Sequence, residues 1–199
     1  MKLIVIEGLD CLVRMYLDGQ FGSRPEDVSA YAASSFFGVD RFASYRTGWK
    51  KDYEAGTVIL CDRYVGSNAI HQTAKLPREE WDEYLDWLAD FEYSKLGLPR
   101  PTATVYLKMD PETSKRLLSQ RYGGDESKRD IHEKNLRYLL SCQQSAAYVA
   151  EKYGWRVVEC CDGQNLLSKE QIAQRVDQAL AGVLGSGCGS DWTNRDTMG

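Results

Sequence analysis

Apolar residues recur along this chain in two rhythms. Short runs, Leu3 to Glu7, Thr57 to Cys61, Ala103 to Met109 and Trp155 to Cys160, are almost continuously apolar and rich in β-branched residues. Between them lie longer stretches where apolar side chains return every three or four positions. The first rhythm belongs to buried strands and the second to amphipathic helices. Strands set between helices predict an α/β fold, with a parallel sheet covered on both faces by helices.

The helix boundaries carry their own signals. Pro25 with Glu26 and Asp27 predicts the start of a long helix, and Gly56 suits its far end. A second helix is predicted from near Pro77, burying Trp81, Tyr84, Leu85, Leu88 and Phe91, with Lys95 and Gly97 at its stop. Asp110-Pro111-Glu112 reads as the cap of a third helix running towards Arg121. A fourth is expected from about Asp130 to Tyr153, and Ser168-Lys169-Glu170-Gln171 fits a capping box for the last. One domain over residues 1–184 is the expectation, with 185–199 as a disordered, Gly- and Ser-rich tail.

Composition narrows the function classes. A formal net charge of -4 and a pI near 5.3 argue against a dedicated nucleic-acid binder. No apolar run approaches the ~20 residues of a membrane span, and the N-terminus does not read as a signal peptide. The 6 cysteines show no CxxC spacing, so reduced thiols in a cytoplasmic protein are expected.

Several residues could carry chemistry. Gly8-Leu9-Asp10 after the first strand looks like the opening of a phosphate-gripping turn, yet no GxxxxGK[ST] follows it. Asp62-Arg63-Tyr64 directly follows the Thr57 to Cys61 run, at the strand end where ligands of open α/β sheets bind. There an arginine can fork onto a phosphate and an aspartate can hold magnesium; a plain strand-end ion pair is the equal alternative. Ser67, Asn68 and Gln72 could read a base edge, or cap a helix. Phe37 and Arg41 share a helix face, so Phe37 could stack on a base while Arg41 bonds a carbonyl oxygen. A core phenylalanine beside a surface arginine is the commoner arrangement. Arg121, Lys128 and Arg129 lie around the glycine-hinged stretch Gly123-Gly124, which could close over phosphates or simply be a solvated loop.

Taken together, EGLD, YAASSFFGVDRFASY, ILCDRYVGSNAIHQ and QRYGGDESKRDIHEKN, in that order, resemble the thymidylate kinase family, its bacterial branch most nearly. The resemblance implies the nucleoside-monophosphate-kinase variant of the P-loop fold, with a lid at about 119–132 and usually a homodimer. It also implies transfer of the γ-phosphoryl group of ATP, with Mg2+, to dTMP. By position, Asp10 would place the acceptor through its sugar 3'-hydroxyl. Phe37 would stack on thymine, Arg41 would read its carbonyl, and Asn68, with Ser67 and Gln72 nearby, would read its edge. Arg63 would hold the acceptor phosphate with Asp62 beside the metal, and Arg121 and Arg129 would belong to the lid.

One departure stands out. Where the family continues GSGKST, Asp10 meets Cys11-Leu12-Val13-Arg14-Met15. By resemblance, roughly 30–40 residues, one βα unit, are missing, and with them the donor-phosphate cradle, its lysine and the metal-binding hydroxyl. Three readings follow: an incomplete version of a competent kinase, a non-catalytic module that binds thymidylate or dimerises, or a non-functional remnant that folds poorly. For Asp10 itself, the equal alternative is the N-cap of a helix starting at Cys11.

Overall fold

The computed structural model describes residues 8–110, 112–114, 116–117, 136–163 and 165–183. The expected first strand, Leu3 to Glu7, the lid residues Arg121, Lys128 and Arg129, and the tail all lie outside these. Helix α1 (Gly8–Leu17) opens the described chain. Helix α2 (Ala30–Ser44) continues through a π-helical turn (Tyr45–Trp49) into α3 (Lys50–Glu54). Helix α4 (Val65–His71) is short, and α5 (Trp81–Ala89) ends in a second π-helical turn (Asp90–Lys95). Strand β1 (Val105–Lys108), helix α6 (Leu136–Lys152) and strand β2 (Arg156–Glu159) follow. A small antiparallel pair, β3 (Cys161–Asp162) and β4 (Asn165–Leu166), leads into α7 (Lys169–Leu180).

β1 and β2 pair in parallel, Val105 opposite Arg156 and Lys108 opposite Glu159. Two of the expected strands are therefore present and parallel. The α/β architecture expected from the rhythm of the chain is also present, with helices making up most of it. The run Thr57 to Cys61 is different: it is extended but pairs with no strand among the described residues. Val58 is 54% and Leu60 74% exposed. Apolar alternation can supply a strand's side chains, but a strand exists only where a neighbour accepts its backbone hydrogen bonds. The sheet is likewise only partly covered, with Leu107 50% and Val157 47% exposed.

The ends of the helices show the local chemistry at work. The long helix expected from Pro25 begins instead as a 3-10 turn (Pro25–Asp27) and breaks at Val28. Ser29 then caps α2, its hydroxyl accepting from the Ala32 N–H at 3.1 Å. Gly56, at φ 84°, closes α3 with the Gly56 and Thr57 N–H groups returning to Tyr53 and Asp52. Asp110 caps the helical turn that follows it, accepting from the Thr113 N–H at 3.0 Å. Ser168 and Gln171 form the expected reciprocal capping box. Helix α1 already includes Gly8, Leu9 and Asp10, so Asp10 does not cap a helix from Cys11.

The core gathers Ala30 of α2, Val65 and Ala69 of α4, Tyr84, Leu85 and Leu88 of α5, and Val149 of α6. Three helices thus meet on α4, and Ser145 and Tyr138 of α6 tie its carbonyls at Ile70 and His71 with bonds of 2.7 and 2.6 Å. No helix among the described residues is long and apolar enough to cross a membrane. Leu85 is fully buried at the centre of this contact. Leu85→Ala should cost about 2–5 kcal/mol of unfolding free energy, the range for a buried leucine whose cavity cannot collapse. Urea titration followed by circular dichroism measures it, and a loss below about 1 kcal/mol would contradict the core assignment.

Candidate functional site

A buried carboxylate organises the centre of the molecule. Glu92, fully inaccessible to solvent, sits in the π-helical turn after α5. A π turn admits one extra residue per turn, which rotates the following side chains relative to the preceding helix. Here Glu92 points inward while Phe91, expected in the core, is only half-buried. Arg41 grips Glu92 with two bonds, Nε to Oε2 at 2.7 Å and Nη2 to Oε1 at 3.1 Å. The Asn68 amide donates to the same Oε1 at 2.9 Å and to the Ser34 carbonyl at 3.3 Å. Close approach of the elements makes this possible: a Cβ at Gly38 would lie 2.8 Å from the Phe91 ring. Only glycine lets α2 pack so near the turn.

Around this centre the polar groups are matched. The Tyr84 hydroxyl lies 2.6 Å from Ser34 Oγ and 3.4 Å from the Asn68 carbonyl, which it meets as donor. Burial pushes the Tyr84 phenol well above the ordinary tyrosine range, so it remains a donor. The Arg41 guanidinium lies 5.5 Å from the Tyr64 ring centroid. Tyr64 in turn donates to the Pro99 carbonyl at 3.0 Å and packs edge-on against Trp49.

The residues expected from sequence fall into three sets. Arg41 and Asn68 meet at Glu92, while Phe37, one turn before Arg41 on α2 and half-buried, packs in a second cluster with its ring edge-on to Tyr16 at 5.9 Å. Arg41 is no surface arginine; its side chain is 14% exposed and locked to Glu92. Ser67 is half-buried on α4 beside Asn68, while Gln72 at the end of α4 is 1% exposed. Gln72 Oε1 and its neighbour Thr73 Oγ1 are buried with no partner among the described residues. Asp62 and Arg63 form the second set. Both are exposed and form no ion pair among the described residues, so the strand-end pair is not what they make. Arg63 has φ 64°, the left-handed region that a long side chain enters at a cost of ~1–2 kcal/mol. Arg121 and Arg129 form the third set, outside the described residues.

Sequence reasoning passed over Glu92, Ser34 and Lys75, and placed Tyr84 in the core without its hydroxyl's part in this network. Glu92 reads as one acid in the charged run Asp90-Phe91-Glu92, where helical periodicity assigns Phe91 to the core. The signal that could have found it is the pairing of a mid-helix arginine with an acid on a neighbouring apolar helix. Lys75 is a similar case: its ammonium donates to the Tyr16 hydroxyl at 2.8 Å and the Val28 carbonyl at 3.1 Å, beneath the ring that supports Phe37. Burial holds this ammonium down at about 8, with Glu26 offsetting part of the effect.

Among the described residues, no group of three or more His, Cys, Asp or Glu side chains is placed to hold a metal. Asp62 offers one carboxylate, and between Gly8 and Met15 there is no Ser or Thr to add the hydroxyl of a phosphate loop. Magnesium asks for one or two carboxylates together with phosphate oxygens, and Asp62 would supply one of them. Clefts of about 330 and 370 Å3 flank β1 and α6, and none of the expected site residues lines either.

The family model for thymidylate kinase matches residues 8–170. The chain is similar to the thymidylate kinase of Mycobacterium tuberculosis, 30% identical over 144 residues, covering 70% of this chain and 64% of that protein. It is also similar to the thymidylate kinase of Synechococcus sp. (strain RCC307), 26% identical, covering 72% of this chain and 61% of the relative. A thymidylate kinase of Caenorhabditis elegans matches over 55% of this chain at 27% identity. The matches thus span less than two thirds of the length of these relatives.

Two outcomes follow from the buried charges. Arg41→Ala leaves the Glu92 carboxylate uncompensated in the core and should cost about 3–5 kcal/mol of stability, measured by urea denaturation; a cost under about 1 kcal/mol would show the pair is not sealed from water. For Lys75 the sign follows from proton counting. The unfolded chain keeps the proton up to the ordinary 10.5, the folded chain only up to about 8. Between those values the unfolded state binds more protons, so stability rises with pH. Relative to Lys75→Met, the unmutated chain should gain up to about 3 kcal/mol from pH 8 to 10.5. Titrations shared by both proteins cancel in the difference, and a difference that stays flat would refute a buried ammonium.

Proposed function

This chain belongs to the thymidylate kinase family, and from that premise we propose that it binds dTMP through an acceptor site that has kept its base-reading residues. The observation that carries the reading is the Arg41–Glu92–Asn68 constellation, in which Glu92 accepts from both neighbours in the centre of the molecule. In this reading Phe37 stacks on the thymine ring, Arg41 donates to its carbonyl oxygen, and Asn68, with Ser67 and Gln72 behind it, faces the base edge. Arg63 receives the phosphate. Its left-handed backbone supports the role, because such strain in a non-glycine residue concentrates at ligand clamps.

The family reaction moves a phosphoryl group from ATP to dTMP with Mg2+. Phosphoryl transfer rests on positioning and charge stabilisation, and the GxxxxGK[ST] loop that supplies both on the donor side has no counterpart after Asp10. A single such donor is often worth ~3–4 kcal/mol of barrier. We therefore propose thymidylate binding without appreciable turnover for the chain as written, with Asp62 and the lid arginines Arg121 and Arg129 as remnants of the transfer machinery. The cytoplasm and a homodimer are the setting that the family resemblance implies.

Thermal unfolding with and without dTMP tests the binding. At a hundred times the dissociation constant, dTMP should add about 2.7 kcal/mol of stability; a folded protein whose melting point does not move would refute the reading. Robust ATP-dependent formation of dTDP would refute the absence of turnover. Arg63→Gly relaxes the strained position and should leave unfolding free energy within about 1 kcal/mol while removing most of the response to dTMP. A full response would take Arg63 out of the site.

A further inference from the structure

One carboxylate sets the orientation of both groups proposed to read the base. Asn68 has two amide hydrogens, and both have acceptors: Glu92 Oε1 at 2.9 Å and the Ser34 carbonyl at 3.3 Å. Turning the amide over would aim its oxygen at two acceptors, so the hydrogen-bond network permits one orientation only. Asn68 Oδ1 is left as an acceptor that no donor reaches among the described residues. Arg41 is fixed in the same way. Its Nε and Nη2 bond Glu92, and of the five N–H donors of a guanidinium the Nη1 pair stays available for a ligand. Glu92 is itself inaccessible, so it touches no ligand and acts entirely through these two neighbours.

We propose that Glu92 is a positioning residue that sets the polarity of the base-reading edge, a donor from Arg41 beside an acceptor from Asn68. That edge complements a pyrimidine presenting a carbonyl oxygen beside a ring N–H, as thymine does. It opposes one presenting an amino group beside an unprotonated ring nitrogen, as a 4-amino pyrimidine does. The inference rests on the reading that Arg41 and Asn68 face the base. A site whose buried polar groups are committed rejects the mismatched partner strongly, because donors would face donors and acceptors would face acceptors.

The test compares dTMP with 5-methyl-2'-deoxycytidine monophosphate, which differ only at this edge, by calorimetric titration of the full chain and of Glu92→Gln. The unmutated chain should prefer dTMP by about 100-fold or more. Glutamine can accept from Arg41 with its oxygen while its amide nitrogen meets Asn68, which removes the constraint on Asn68. The preference should then fall below about 10-fold, with circular dichroism showing an intact fold. Equal weakening of both nucleotides with the ratio kept would make Glu92 merely structural and overturn the inference. Failure of the unmutated chain to bind dTMP would instead overturn the reading on which the inference stands, and the inference with it. Should Glu92→Gln not fold, the Asn68 side-chain NH2 resonances of the unmutated protein decide. They should be protected from solvent exchange both without and with dTMP; free exchange in the unliganded protein would overturn the proposal.

Discussion

The fold turns on a negative charge with no access to water. Leaving a carboxylate in a protein interior costs several kcal/mol unless its oxygens are matched, and Glu92 is matched by groups from α2 and α4. Each of those groups is matched in turn, the Asn68 amide by the Ser34 carbonyl and Ser34 by Tyr84. Three elements distant in sequence are thereby held in one register. Hydrophobic burial alone would hold them together without specifying it, since apolar surfaces slide at little cost while a bidentate guanidinium does not.

This arrangement is also independent of the stretch after Asp10, where no phosphate loop follows. The Arg41–Glu92–Asn68 centre draws on α2, α4 and the turn after α5, and on nothing before Ser29. Tyr64 joins the Asp62-Arg63 turn to it through its contacts with Arg41, Trp49 and Pro99. Phe37 differs, since it packs on Tyr16 of α1 in a second apolar cluster with Val28 and Ala33.

Helices and their boundaries were legible in the sequence because their signals are local: Ser168 with Gln171, Asp110 before its helical turn, Gly56 at the end of α3. Phe37, Arg41 and Asn68 could be singled out because motif order places them. Glu92 could not, because the π-helical turn that swings it inward breaks the helical period used to read burial. The break at Val28 was hidden for a related reason: Pro25 signals a helix start, but Ser29 offers a better cap four residues on. The strand expected at Thr57 to Cys61 shows the opposite limit. Its side chains satisfy every local criterion, and pairing is a property of two segments that one segment's sequence does not contain.

That same run has a consequence for the chain in a cell. Val58 and Leu60 present apolar side chains on an extended backbone whose N–H and C=O groups have no strand partner among the described residues. Such a segment is a template for another copy's backbone, and edge-to-edge association scales with concentration while folding does not. The exposed apolar positions of this run, Val58 and Leu60, therefore make it a point at which a second strand could pair.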